Sequence, residues 1–147
     1  MAYSLLRNVA DAEDAVQETF VKLWRDYARL DEDKVQAWIM KVCRNTCLDR
    51  IRRLRQSVEI HEEHFETDES QRPDTNLSME QASGYLHQLI TLLDEPGKSL
   101  VVLRDLHEHS YEEIAEIMGL TLTQVKVYLY RARKKLGELW NRHYEQA

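Results

Sequence analysis

The chain has 147 residues, enough for one ordinary domain or two small ones, and a net charge of −6 that by itself argues against a general nucleic-acid binder. Only four glycines, two prolines and few runs of β-branched residues stand among abundant Leu, Ala, Glu, Arg and Lys, which favours helices. No run of about 18 apolar residues could span a bilayer, and the N-terminus lacks a basic stretch leading into an apolar one. The expectation is therefore a cytoplasmic chain with no membrane insertion.

The first long helical pattern carries Ala12, Ala15, Val16, Phe20, Leu23, Trp24 and Tyr27 at helical spacing. Asp11 or a neighbour is the expected N-cap, with Glu13 and Asp14 favourable in the first turn. Phe20 and Trp24, four apart, are expected in the core. Asp14, Gln17 and Glu18, spaced by three and by one, fall on about one polar face.

A polar break from Arg29 to Lys34 precedes a second helix with Val35, Trp38, Ile39, Val42, Cys43, Thr46, Cys47, Leu48 and Ile51. Cys43 and Cys47 can share a helix face, but two cysteines make neither a disulfide framework nor a metal site; both are expected as core residues. Basic residues crowd this helix: Lys41, Arg44, Arg50, Arg52, Arg53 and Arg55. A second basic cluster is Lys126, Arg131, Arg133, Lys134 and Lys135, with acidic residues concentrated between the two. Over a Debye length of about 8 Å the local patch, not the distant total, governs attraction to phosphate.

Between residues 56 and 81 the periodicity fades, and 70–76 read as a linker. His61 and His64 lie there among acids and are expected to be solvated. The pattern restarts with Tyr85, Leu86, Leu89, Ile90, Leu92 and Leu93, then Pro96 at a helix N-terminus and Leu100, Val101, Leu103 and Leu106. His107 and His109 fall in the loop that follows. Ser110-Tyr-Glu-Glu113 is a capping-box sequence opening Ile114, Ala115, Ile117 and Met118, and Gly119 stands where a left-handed residue ends a helix. Thr121-Leu-Thr-Gln124 is a second such sequence, opening a longer helix with Val125, Leu129, Ala132, Leu136 and Leu139. Helix, glycine turn, helix is the helix-turn-helix order. Its second helix presents Thr123, Gln124, Lys126, Val127, Tyr128, Tyr130 and Arg131 on and around its outer face, where side chains reach base edges and phosphates in a major groove. The fold expected is all-α: two small helical domains, residues 1–56 and 83–147, on a flexible acidic linker, 57–82.

The string Asp11-Ala-Glu-Asp14-Ala-Val-Gln17-Glu18-Thr-Phe20-Val-Lys-Leu-Trp24 resembles the helix with which sigma factors of the extracytoplasmic-function group grip RNA polymerase, matching the pattern D-x-E-D-x-x-Q-E-x-F-x-x-x-W of their region 2 at every specified position. Ala37-Trp38-Ile39 through Arg44-Asn45 to Leu48-Asp49-Arg50 is similar to the part of region 2 that melts and reads the minus-10 element. Residues 110–136 are similar to region 4, which reads the minus-35 element.

The resemblance implies polymerase contacts at Asp14, Gln17 and Glu18. It implies minus-10 contacts at Asn45 and Asp49, with Lys41, Arg44, Arg52 and Arg53 on phosphates. It implies minus-35 contacts at Thr123, Gln124, Lys126, Val127, Tyr128 and Arg131, and makes the loop from Leu30 to Val35 similar to one that pockets a flipped base. Implied partners are the β′ and β subunits of the polymerase core, promoter DNA and an anti-sigma factor; no cofactor, metal or catalysis is implied. The alternative reading is a helix-turn-helix regulator acting without polymerase, or a relative that only binds proteins.

Two departures stand out. Family members carry about twenty further residues before the position of Tyr3, so an exposed apolar strip and self-association are expected of the first domain. Val127-Tyr128 stands where many relatives have Ser-Arg.

Overall fold

The computed structural model describes residues 1–60 and 78–145. Residues 61–77, which hold most of the expected linker together with His61 and His64, lie outside the described residues. The chain folds as two small helical domains with no strand among the described residues. The helices are α1 (Ala2–Leu6), α2 (Val9–Asp26), α3 (Val35–Ile60), α4 (Met79–Thr91), α5 (Gly97–Val101), α6 (Tyr111–Met118) and α7 (Leu122–Glu145). None is long and apolar enough to cross a membrane.

In the first half α2 starts earlier than its acidic run suggests. Asn8, in extended backbone, accepts from the Asp11 N–H at 2.9 Å, so Asn8 is the N-cap and Asp11 lies in the first turn. Arg7 in the left-handed region ends α1 immediately before it. The face of α2 turned inward is Ala12, Ala15 and Thr19, and α3 answers with Cys43, Thr46 and Cys47. Both thiols are buried and unbridged, as core residues. Small side chains let the helices approach closely, but they remove little apolar surface from water.

Phe20 and Trp24 do not belong to that core, contrary to their helical spacing. They are 57% and 89% exposed. At 100° per residue, Phe20 stands a quarter-turn from the buried Thr19, and the inward face is already taken by alanines and threonine. Val9, Val16, Phe20, Trp24 and Tyr27, joined by Tyr3 of α1, form the expected exposed apolar strip. Light scattering at rising protein concentration is expected to show self-association, and Trp24→Ser is expected to reduce it; a strict monomer throughout removes that expectation.

The second half is built differently. Its core is large aliphatics: Leu89, Ile90, Leu93, Leu100, Leu103, Ile114, Ile117, Val125, Leu129 and Leu139. Ser78 and Gln81 form a reciprocal capping box at the start of α4. Pro96 sits just before α5 as expected. The helix then widens into a π turn over 102–106, where the His107 N–H reaches the Val102 carbonyl at 3.1 Å. A Cβ on Gly97 would lie 3.0 Å from that of Ala132, so α5 meets α7 nearly backbone to side chain. Tyr85 and Trp140, with ring centroids 5.4 Å apart, tie α4 to α7.

The two halves pack against each other. α3 touches α6, and α1 touches α4. Arg44 spans the junction from α3: its Nε donates to Ser99 Oγ at 2.8 Å and its guanidinium pairs with Glu95 at 3.3 Å. Ser99 is wholly buried, and its N–H also donates to Glu95.

Candidate polymerase and nucleic-acid interfaces

Three exposed faces carry the residues singled out in the sequence. On α2, Asp14, Gln17 and Glu18 all face outward. Their electrostatic setting comes from α3. Arg50 reaches Asp11 and Asp14 at 3.9 Å each and Glu18 at 3.8 Å, while Lys22 pairs with Glu18 at 3.3 Å. Arg50 is thus a brace between the acidic stripe and the next helix, and its buried Nε has no hydrogen-bond partner among the described residues. The sequence puts Arg50 in a basic cluster and at the end of the segment similar to the minus-10 part of region 2, with no partner indicated. Its place opposite the stripe follows from how α2 and α3 cross, which no local pattern encodes.

On α3, Lys41, Asn45, Asp49 and Arg52 follow one another at spacings of four, four and three, and all are exposed. Asp49 and Arg52 pair at 3.6 Å. Arg53, also exposed, flanks this stripe. Arg44 lies on the flank toward the second half, with its guanidinium committed to Ser99 and Glu95. The structure therefore brings together five of the six residues singled out here and turns the sixth away. Leu30 to Val35 forms a short 3₁₀ turn, Glu32–Lys34, with Asp31 accepting from the Asp33 N–H at 3.3 Å.

The third face is the helix-turn-helix. The Ser110 hydroxyl accepts from the Glu113 N–H at 3.1 Å, and His109 Nδ1 lies 2.8 Å from the Glu113 carboxylate. That contact with His109 and the bonds to Ser110 hold Glu113 below the usual carboxylate range. Gly119, at φ 65°, closes α6 in the left-handed region. Thr121 and Gln124 form the second box reciprocally, at 3.1 Å and 3.0 Å. Gln124 Oε1 is consequently engaged in capping α7, and the amide nitrogen is the part of that side chain left to point outward.

Thr123, Lys126, Val127 and Arg131 are exposed along α7, and Tyr130, 69% exposed, stands among them. Tyr128 turns partly inward against the core. Nearby cations are braced from within: Arg133 makes a bidentate pair with Asp105 at 2.6 and 3.1 Å, and Arg104 stacks on Tyr111 at 4.7 Å. The pair with Asp105 holds the Arg133 guanidinium above its usual range. No group of three metal-ligating side chains occurs among the described residues.

Comparison with known proteins converges on one family. Residues 1–57 match sigma-70 region 2, and residues 83–136 match sigma-70 region 4. The chain is 33% identical over 129 residues to the RNA polymerase sigma factor YlaC of Bacillus subtilis, covering 85% of this chain and 75% of that one. It is 29% identical over 135 residues to the ECF sigma factor SigM of the same organism, covering 89% and 80%. It is 29% identical over 146 residues to the ECF sigma factor SigE of Mycolicibacterium smegmatis, covering 97% of this chain but spanning 57% of SigE. The fold is similar to the sigma factor RpoE solved with the anti-sigma factor NepR from Bartonella quintana, with a TM-score of 0.72 at 25% identity, over 95% of this chain and 87% of that one. It is similar to CnrH solved with the cytosolic domain of CnrY, with a TM-score of 0.68 at 25% identity, over 96% and 78%.

Regions 2 and 4 on one helical chain define a sigma-70-type factor. The chain belongs to the ECF group of RNA polymerase sigma factors.

Proposed function

We propose that this chain binds core RNA polymerase in the cytoplasm and directs it to promoters, using residues 1–56 for docking and the minus-10 element and residues 83–147 for the minus-35 element. The observation that carries the reading is the arrangement of the first half, where an acidic stripe on α2 and an exposed polar stripe on α3 belong to one helix pair. Asp14, Gln17 and Glu18 dock on a basic surface of the β′ subunit, with β contacts from the second half. Asn45 and Asp49 read the minus-10 strand while Lys41, Arg52 and Arg53 hold its phosphates, which position without specifying. Thr123, Gln124, Lys126, Val127, Tyr128 and Arg131 meet the minus-35 element, with Tyr128 swinging out from its partly inward place.

Arg44 joins the minus-10 phosphates only when its bonds to Ser99 and Glu95 break, so promoter engagement separates the halves at that point. An anti-sigma factor is the partner that keeps the free protein from core enzyme. RpoE was solved with an anti-sigma factor, and CnrH with the cytosolic domain of CnrY.

Run-off transcription with purified core enzyme tests this. Wild type is expected to support initiation. Gln17→Ala is expected to lower the yield about tenfold at limiting protein, from loss of hydrogen bonds to charged groups, and to recover in excess protein. Asn45→Ala is expected to lower the yield with no recovery in excess. Tight binding to palindromic duplex by the free chain, with no transcription, would instead favour a regulator acting without polymerase.

A further inference from the structure

Where the halves meet, a cleft of about 500 Å³ opens between the end of α1, the C-terminal part of α3, and α4 with α5. Its charged liners are Arg7, Arg55 and Lys98; Leu5, Leu6 and Ile51 form an apolar wall. Three cations contributed by three different elements border one space, and neither the family match nor the three interfaces above uses them.

Lys98 is the informative member. Its residue is only 5% exposed, although lysine is almost never buried without a partner. Among the residues whose side chains are described, no carboxylate lies within ion-pair distance of Lys98, Arg55 or Arg7. The nearest carboxylate help comes from Glu95 and Asp94, both beyond ion-pair distance, and Glu95 is already spent on Arg44 and the Ser99 N–H. Burial lowers the Lys98 pKa; Glu95 and Asp94 offset part of this, and Arg55 adds to it. A buried ammonium that faces an arginine and has no carboxylate within ion-pair distance is a costly arrangement, only partly offset by Glu95 and Asp94. An anion seated among the three would compensate it.

We propose that this cleft binds a small phosphate-bearing anion, with Lys98, Arg55 and Arg7 holding the phosphate and the Leu5–Leu6–Ile51 wall receiving any organic part. Guanidinium forks match phosphate oxygens in pairs, and the ammonium supplies a compact third charge. The volume is that of a small-molecule site. Arg7 and Arg55 belong to the first half and Lys98 to the second, so the bound anion ties the halves together.

The test is calorimetric titration and thermal unfolding of the full chain with inorganic phosphate, pyrophosphate and ADP, against sodium chloride at matched ionic strength. Saturable binding of pyrophosphate and a rise in Tm that chloride does not reproduce are expected. Tighter binding of ADP than of pyrophosphate identifies an organic phosphate as the occupant, and the reverse order identifies a free one. Lys98→Gln and Arg55→Gln are each expected to weaken binding tenfold or more. Lys98→Met is expected to raise Tm in anion-free buffer, because a buried and only partly compensated charge is gone, and to abolish the anion response. That last pair of readouts separates a ligand site from a misfolded variant. Absence of saturable binding, as when the chain's own carboxylates fill the cleft, overturns the proposal. So does an anion response that survives unchanged in all three variants.

Discussion

Leu129→Ala is expected to lower the unfolding free energy by about 2–5 kcal/mol, the range for truncating a buried leucine. Leu129 lies at 1% exposure on the inner face of α7 and shares one core with Ile114 and Ile117 of α6 and Val125 one turn before it. Gly97 sits against Ala132, three residues further along the same face, so the surrounding helices have little room to collapse onto the vacated volume. The loss is a large fraction of the roughly 5–15 kcal/mol that holds an ordinary domain folded. Urea denaturation followed by circular dichroism measures it. Val127→Ala, two residues away on the outward face, is expected to change stability by no more than about 0.5 kcal/mol. Equal effects from the two substitutions would mean that α7 is rotated from the position described.

That contrast also marks what the sequence could reveal. The second half was legible almost residue by residue: the Ser110 N-cap, the reciprocal box of Thr121 and Gln124, the glycine between them and aliphatic periodicity all act within a few residues of chain, although Glu113 turns to His109 and does not close the first box. Ser110, Gly119 and Thr121 stand where those rules put them. The first half was legible in its elements but not in its inside and outside. Phe20 and Trp24 have core-like spacing, yet alanine and threonine occupy the face against α3, because which side of an apolar helix is covered depends on its neighbours.

Long-range pairings were equally beyond local reading. Arg44 and Arg50 are alike in a basic run of chain. Only the crossing of α3 with α2 and its contact with the second half send one to Glu95 and the other to the acidic stripe. Lys98 carried no sequence signal, since burial of a lone lysine comes from the packing of the two halves and from no motif.

The acidic stripe yields the larger functional effect. With Asp14→Lys and Glu18→Lys combined, binding to core polymerase is expected to fall a hundredfold or more, read as loss of co-elution at low ionic strength. Like charges brought together across an interface cost several kcal/mol, and about 2.7 kcal/mol is already a hundredfold. The same carboxylates also partner Arg50, so the double substitution removes an internal brace as well. That brace is weak: its contacts are 3.8–3.9 Å long, and Asp14 and Glu18 are about half exposed. Solvent-exposed pairs of this kind contribute about 0–1 kcal/mol each. Arg50→Gln keeps both carboxylates and discards the brace, so it isolates the internal contribution.

If docking depends on the stripe itself, Arg50→Gln co-elutes as well as wild type or better, because the carboxylates no longer share their charge with an internal cation. If Arg50→Gln is lost from the complex as fully as the double variant, the stripe serves to position α3 and the docking surface lies elsewhere. Gln17 completes the comparison, since it lies beside both carboxylates and is absent from the hydrogen bonds and ion pairs that brace them. A deficit in Gln17→Ala at unchanged stability can arise only from a surface that the polymerase touches.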